Sequence, residues 1–171
     1  MQILFLSTPL TVVLCFAGWF VFQVCAALIA LRIPDRLLSP DRFPYRMFKW
    51  EKGGRFYLHL GVHRWKRLLP DGAAVTKGGY RKKSLNDYSQ GNLERFLIES
   101  CRAELTHLLA IVPFWVFGLI APPSILVFML IYALAANLPC MIAQRYNRPR
   151  IIHMKAMLAK RERNNMRVTN E

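Results

Sequence analysis

The chain has 171 residues, enough for one ordinary domain, and combines a hydrophobic content of 54% with a formal net charge of +14. These two properties are segregated along the sequence, because no charged side chain lies within residues 3–31 or 105–144. Such a distribution excludes a disordered chain, a disulfide scaffold and an ordinary soluble domain. It indicates a small integral membrane protein.

The first apolar run, residues 3–31, predicts a membrane-spanning helix. At roughly 1.5 Å per residue the run would be about 43 Å long, which exceeds a hydrocarbon core of about 30 Å. We therefore expect Pro9 to mark an interfacial start and residues 10–31 to form the span. The run lacks a preceding basic segment, is too long for the apolar part of a signal peptide and has no small-residue cleavage site before Arg32. We interpret it as a permanent span.

The second apolar region predicts a helical hairpin. Residues 121–123, Ala-Pro-Pro, divide it into runs at residues 105–120 and 124–143. Paired prolines lack backbone donors and cannot continue a helix, so they indicate a tight turn. The shorter run would begin its helix outside the hydrocarbon core, with Asn92 as the N-cap. Two prolines within these helices are expected to kink them: Pro113 and Pro139.

The basic residues predict the orientation in the membrane. Residues 32–104 carry 16 Lys and Arg side chains and residues 145–171 carry eight, whereas the first two residues and the Pro-Pro turn carry none. By the positive-inside rule, the N-terminus and the turn lie outside, and the loop 32–104 and the basic tail 144–171 lie in the cytoplasm. We therefore predict an all-α, multi-pass protein of the cell membrane, with three transmembrane helices in a single membrane domain over residues 1–171.

The cytoplasmic loop interleaves aromatic and basic residues. On a helix over residues 55–69, basic and histidine side chains would share one side and apolar ones the other, a pattern typical of an amphipathic segment at the lipid interface. The basic side would contain Arg55, His59, His63, Lys66 and Arg67, and the apolar side Tyr57, Leu58, Val62, Trp65, Leu68 and Leu69. Residues 70–72 indicate a turn and residues 76–86 a polar loop. No nucleic-acid-binding motif accompanies this pattern, so we expect no nucleic acid as a partner.

Titratable residues cluster where the second span begins. Glu104 and His107 are i, i+3 neighbours and share one helix face. A carboxylate beside an imidazole can fix its tautomer and stabilise its charged form, which suits a general base. We therefore predict His107 and Glu104 as the catalytic pair. A single E-x-x-H resembles only half of a di-iron motif, so we predict no metal site.

Where the third span ends, Asn137, Gln144 and Arg148 form a polar stripe on an otherwise apolar helix. Unpaired amides are costly in hydrocarbon, so we expect this stripe to face protein or a wet cavity and to meet the His107 cluster. The predicted substrate-binding residues of both clusters are Glu99, Arg102, Asn137, Gln144, Arg145, Asn147, Arg148 and Arg150. The alternative interpretation is structural, because such side chains often cap helices, join them or contact anionic lipids.

Several stretches of the sequence carry a resemblance to a known family. They are Arg32-Ile-Pro-Asp35, Phe48-Lys-Trp-Glu-Lys-Gly-Gly-Arg-Phe-Tyr57, Trp65-Lys66, Asp71-Gly72, Glu99-Ser-Cys-Arg-Ala-Glu-Leu-Thr-His107 and Asn137-Leu-Pro-Cys-Met-Ile-Ala-Gln-Arg-Tyr-Asn-Arg-Pro-Arg150. With these motifs the chain resembles the glycosyl-4,4'-diaponeurosporenoate acyltransferase family, which completes staphyloxanthin-type carotenoid glycolipids. The resemblance implies transfer of a fatty acyl group to a sugar hydroxyl.

We therefore expect a membrane-embedded O-acyltransferase that needs no cofactor and uses an acyl thioester such as acyl-CoA as co-substrate. Its acceptor would be a glycosylated isoprenoid or another glycolipid. The tail of the acceptor would dock between the hairpin and the first span, with its sugar near His107. Arg145, Asn147 and Arg148 would polarise the thioester carbonyl or hold phosphates.

Two alternatives accompany this hypothesis. If His107 is not the base, the next candidates are His63 or a thiol mechanism at Cys101 or Cys140. If the chain is not an enzyme, it is a small scaffold or assembly subunit that recruits partners to the membrane through its basic loop.

Overall fold

The computed structural model describes residues 2–69 and 88–169. Its α-helices, in chain order, are α1 (Thr8–Arg32), α2 (Phe56–His59), α3 (Val62–Trp65), α4 (Gln90–Ile111) and α5 (Pro123–Thr169). Short 3-10 helices cover Asp35–Leu37, Lys49–Gly54, Lys66–Leu68 and Val112–Leu119. No strand occurs in the described ranges, so the predicted all-α class is confirmed.

Three helical stretches are long and apolar enough to cross a membrane: Thr8–Arg32, Gln90–Leu119 and Pro123–Arg167. They correspond to the three predicted spans, and the chain is a multi-pass membrane protein. The predicted turn is also present, because the chain leaves helical geometry at Ile120 and α5 begins at Pro123. Proline suits a helix start, since its missing backbone N–H would have no partner there.

Two details at the helix ends differ from the predictions. Helix α4 begins at Gln90, and the backbone N–H of Leu93 donates to the carbonyl of Ser89 (3.1 Å), so Asn92 lies within the first turn and is not the N-cap. At Pro113 the change is larger than a kink: the α-helix ends at Ile111 and the chain continues as a 3-10 helix, because proline has no N–H to donate. Helix α5 continues through Pro139.

The chain divides into two compact units. The first, which we call the span unit, consists of Met1–Pro34 and Arg102–Met141; the second, the loop unit, consists of Asp35–Cys101 and Ile142–Glu171. Helices α4 and α5 therefore contribute residues to both units. The expectation that residues 1–171 form a single domain stays a prediction.

The span unit has an aromatic core. Trp19 packs edge-on against Tyr132 at 5.5 Å between ring centroids and lies 6.3 Å from the ring of Phe117. In the segment that precedes α1, the backbone N–H groups of Ile3 and Leu4 donate to the carbonyl of Leu119 (2.8 and 3.0 Å). The N-terminal segment therefore lies beside the hairpin turn. The two must be neighbours if both are on the same side of the membrane.

The loop unit breaks the helix predicted over residues 55–69. Gly61 adopts the left-handed conformation (φ 63°), so the segment folds as α2, α3 and a 3-10 turn instead of one helix. Its apolar side chains separate accordingly: Tyr57 and Val62 are buried against Tyr146, whereas Leu68 is 85% exposed. A second apolar cluster joins α4 to α5 through Leu93, Phe96, Leu97 and Ile151. The predicted turn at 70–72 and polar loop at 76–86 lie outside the described residues.

Candidate active site

His107 of α4 lies against Asn137 of α5 within the span unit. The imidazole Nδ1 is 2.9 Å from the amide Oδ1 of Asn137, which is almost completely buried. The same Oδ1 accepts a hydrogen bond from Nε2 of Gln23 on α1 (3.3 Å), and Nδ2 of Asn137 donates to the carbonyl of Ala133 (2.9 Å). Three spans thus supply one connected polar network inside an apolar unit.

This network determines the tautomer of His107. Because Asn137 donates through Nδ2 to a backbone carbonyl, its Oδ1 is the end that faces the imidazole, and a carbonyl oxygen can only accept. Nδ1 must therefore carry the hydrogen. In the neutral ring the lone pair then lies on Nε2, which is the form that a general base requires.

The other predicted residues of this cluster have distinct positions. Glu104 is almost completely buried one turn before His107 on α4, and its contact with the imidazole stays a prediction. Arg102 donates through Nη1 to the carbonyls of Ala30 (2.6 Å) and Ile33 (2.9 Å), where α1 ends. A guanidinium group stabilises the carbonyls and the dipole at the C-terminus of a helix, so the geometry favours a capping role for Arg102.

In the loop unit, Arg145 forms an ion pair with the completely buried Glu51. Its Nη1 lies 3.0 and 3.2 Å from the two carboxylate oxygens, and its Nη2 donates to the carbonyl of Pro44 (2.5 Å). Glu51 also accepts from the backbone N–H of Phe48 (2.5 Å) and from the hydroxyl of Tyr57. A buried charge is tolerated only when it is paired and hydrogen-bonded in this way.

A left-handed turn positions this carboxylate. Lys52, Gly53 and Gly54, which follow Glu51, all have positive φ (47°, 64° and 87°). A Cβ on Gly54 would lie 3.0 Å from Cγ of Pro149, so the backbone packs directly onto α5. Burial, and then the hydrogen bond to Glu51 and its charge, raise the pKa of the Tyr57 hydroxyl, which therefore stays protonated and donates.

Arg148 is also hydrogen-bonded within the loop unit. It is completely buried, and its guanidinium donates to the carbonyls of Tyr45 (2.8 Å) and Ser100 (3.3 Å). The contacts of Arg145 and Arg148 therefore favour the structural alternative over phosphate binding. Glu99 pairs with Arg95 (2.8 Å), one helical turn away.

The remaining predicted residues also lie in the loop unit. Gln144 is half-buried, and within the described ranges its Oε1 has no hydrogen-bond partner. Asn147 accepts a hydrogen bond from Nζ of Lys66 (2.7 Å), and Arg150 is exposed and stacks on the ring of Tyr146. Of the stripe on the third span, Asn137 meets His107 as expected. That the rest of the stripe meets the His107 cluster stays a prediction.

Sequence reasoning missed Glu51 and Gln23, although both carry a signal. Glu51 is the only acidic residue within residues 42–69, where eight Lys and Arg side chains occur. Gln23 is the only amide in the first apolar run, where an unpaired amide would be costly. Among the alternative bases, His63 is exposed in the loop unit and Cys101 is completely buried. Within the described part of the chain, no three His, Cys, Asp or Glu side chains are grouped as metal ligands would be.

Comparison with known proteins agrees with the motifs. The family model for glycosyl-4,4'-diaponeurosporenoate acyltransferases matches residues 41–157, more than half of the chain. Proteins of that name from Staphylococcus aureus strains bovine RF122 / ET3-1, MRSA252 and NCTC 8325 / PS 47 are each 32% identical to it over 152 residues. These alignments cover 88% of this chain and 92% of each relative. No solved structure matches the chain.

Proposed function

Since the chain belongs to the glycosyl-4,4'-diaponeurosporenoate acyltransferase family and is therefore an acyltransferase, we propose that it esterifies a sugar hydroxyl of a glycosylated carotenoid or related glycolipid with a fatty acyl group. The donor in this proposal is an acyl thioester such as acyl-CoA. Membership of an acyltransferase family favours this function over the scaffold alternative.

The observation that carries the proposal is the network of His107, Asn137 and Gln23. Acyl transfer from a thioester to a hydroxyl needs a base that is neutral before reaction and can hold a proton briefly. A His107 imidazole with hydrogen on Nδ1 and a lone pair on Nε2 meets this requirement. It also suits an apolar unit, because a permanently charged base would be costly in hydrocarbon.

The proposed reaction proceeds through one proton held on His107. Nε2 takes the proton of the sugar hydroxyl while the hydroxyl oxygen forms a bond to the acyl carbon. The carbon–sulfur bond then breaks, and the departing thiolate receives that proton, which leaves an ester and a free thiol. In this scheme Asn137 and Gln23 are positioning residues, and Glu104 stabilises the imidazolium from its place one turn earlier on α4.

An apolar cavity in the span unit supports the proposed place of the acceptor's tail. The cavity has a volume of about 210 Å³ and lies between α1 and α5. Its lining is almost entirely apolar, with Val12 and Phe16 from α1 and Ile125, Phe128 and Met129 from α5. An isoprenoid or acyl chain suits such a lining, because the chain has no hydrogen-bond donors or acceptors that would need partners.

The test of the function is the lipid composition of cells with and without the chain, compared by mass spectrometry. We expect a glycolipid that lacks one fatty acyl unit in the deletion strain. Complementation with the wild-type chain should restore the ester, and complementation with His107→Ala should not. An unchanged lipid profile in a strain known to make the protein would refute the proposed function.

The proposed orientation has a separate test. The loop and the tail are rich in basic residues, and the contacts of Ile3 and Leu4 with Leu119 put the N-terminus and the turn at one end of the span unit. A reporter that is active only in the cytoplasm should therefore work when fused after Gly72, which lies outside the described residues. A reporter that needs the exterior should work in the Pro122-Pro123 turn. The reverse pattern would exclude a cytoplasmic thioester donor.

A further inference from the structure

We propose that the loop unit contains a binding site for the phosphate group of an anionic ligand, formed by Lys66, Arg150 and Asn147 around the ring of Tyr146. Asn147 and Arg150 are among the residues that the sequence suggested, whereas Lys66 is new and Arg145 and Arg148 drop out, since they are bonded to Glu51 and to backbone carbonyls.

The ring of Tyr146 contacts two cations. Nζ of Lys66 lies 4.9 Å from the ring centroid and the guanidinium carbon of Arg150 lies 3.6 Å from it. The ring itself is buried against Tyr57 and Val62, so both cations are held on a rigid support. Arg150 is exposed and Lys66 half-buried, so a solute can reach both.

The partners of these cations within the fold are neutral. Lys66 donates to the amide oxygen of Asn147 (2.7 Å), and Arg150 donates to the backbone carbonyl of Tyr146. Two other cations of the loop unit are neutralised by carboxylates: Arg145 pairs with Glu51, and Lys155 with Glu94. A neutral oxygen orients an ammonium group without cancelling its charge.

The pKa of Lys66 reflects this excess of positive charge. Burial lowers the pKa of its ammonium group, and the charges of Arg150 and Arg67 lower it further. Three cations that repel one another would be stabilised by an anion placed among them. Binding of an anion beside Lys66 would therefore offset the repulsion between its ammonium group and the neighbouring arginines.

The side chains present suit a phosphate. A guanidinium group offers paired N–H donors to two phosphate oxygens, and an ammonium group contributes a point charge. Because Asn147 turns its oxygen toward Lys66, its NH₂ end is the one that can donate to an anion. The phosphate can belong to a soluble ester, such as the phosphopantetheine portion of the proposed thioester donor, or to an anionic lipid headgroup. Only the first identification rests on the proposed function.

The experiment measures binding by the full-length protein in nanodiscs and requires no turnover. In discs of phosphatidylcholine, binding of coenzyme A and of inorganic phosphate is measured by calorimetry; in discs that also contain phosphatidylglycerol, retention of that lipid is measured by native mass spectrometry. The variants are Lys66→Gln and Arg150→Gln. The matched control is Arg163→Gln, which removes one charge from an exposed arginine on the same helix α5.

We expect Lys66→Gln and Arg150→Gln each to weaken binding about tenfold or more, as loss of a charge-assisted hydrogen bond does. Lys66→Arg should restore most of the affinity, and Arg163→Gln should change little. Loss of coenzyme A binding identifies a soluble phosphate ester, and loss of phosphatidylglycerol retention alone identifies a lipid headgroup. Binding that is absent for all three probes, or equal in wild type and both variants, would overturn the proposal. Since no acyl transfer is measured, failure here leaves the lipid analysis of the proposed function unaffected.

Discussion

The two units of this protein stabilise their central buried polar groups in different ways. The span unit contains only three of the chain's 34 charged residues, and its central network joins neutral side chains: His107, Asn137 and Gln23. The loop unit buries a full carboxylate, Glu51, and neutralises it with Arg145. Neutral hydrogen bonds avoid the cost of charge in hydrocarbon, whereas an ion pair needs several donors around it to be stable.

The two networks also differ in their proposed roles: one positions a reacting group, and the other stabilises the fold. In the proposed reaction, the network of the span unit orients His107 so that Nε2 takes the proton. In the loop unit both oxygens of Glu51 are saturated by three donors, so the ion pair holds the chain in place. Substitutions in the His107 network should therefore change rate, and substitutions in the ion pair of Glu51 and Arg145 should change stability.

The largest expected effect is on rate in the span unit. His107→Ala should lower acyl transfer about 10²- to 10⁴-fold, because it removes the proposed general base. Turnover is measured on purified protein in nanodiscs, with expression and helix content as controls for folding. Near-normal turnover of this variant would move the base to His63 or to a thiol.

Substitution of Arg145 should give the largest effect on stability. Arg145→Leu leaves Glu51 buried without its cation, and breaking such a pair costs about 3–5 kcal/mol of the free energy of unfolding. The matched control is Lys155→Gln, which breaks a solvent-accessible pair with Glu94 (3.1 Å) and should cost under about 1 kcal/mol. Denaturation in detergent measures both. Equal losses for the two variants would contradict the distinction between the units.

Asn137→Leu tests whether Asn137 positions His107. It removes the oxygen that faces Nδ1, so kcat should fall, by less than for His107→Ala, while KM for the acceptor changes little. Adding the substitution to His107→Ala should cause no further loss, because a positioning residue acts only through the residue it positions. A purely structural role would instead lower the residual activity of the double variant.

Substitution of two adjacent glycines distinguishes backbone strain from packing in the loop unit. Gly53→Ala and Gly54→Ala both place a side chain at positive φ, which costs about 1–2 kcal/mol. Only at Gly54 does the new Cβ meet a neighbour, Cγ of Pro149 at 3.0 Å, whereas nothing lies within 4 Å at Gly53. Gly54→Ala should therefore be the more destabilising in thermal unfolding. Equal melting temperatures would mean that the packing onto α5 is loose.

The smallest effect is a dependence on alkaline pH in the loop unit. The pKa of Tyr57 is raised by burial and by Glu51, so the folded state retains its proton above the ordinary value of 10.0 and the unfolded state does not. The stability that Tyr57 contributes is present below about pH 10 and declines as pH rises beyond it. The rise in tyrosinate absorbance on unfolding above pH 10 should be larger for the wild type than for Tyr57→Phe. Equal rises would contradict the role of Tyr57.

Features that depend on local sequence were predictable. The three spans follow from uncharged runs of sufficient length, and the turn follows from two prolines that cannot continue a helix. The i, i+3 spacing of Glu104 and His107 predicts that they share one helix face, and a carboxylate beside an imidazole makes them a candidate catalytic pair. That spacing says nothing of the residues on the helix opposite.

Tertiary structure alone decided the partner of Glu51 and the atoms that face each other at His107. Arg145 and Glu51 are 94 residues apart, so no periodicity connects them. The sequence predicts that Asn137 meets the His107 cluster, but only the structure shows that its Oδ1 faces Nδ1. Gly61 shows the same limit within a short segment: its amphipathic pattern fits one helix, but a left-handed residue divides it so that Tyr57 and Val62 can pack on Tyr146. Apolar length and proline act within a few residues, and the sequence determined those features by itself. A buried carboxylate or amide obtains its hydrogen bonds from whichever element folds beside it, so its role exists only once the chain has folded.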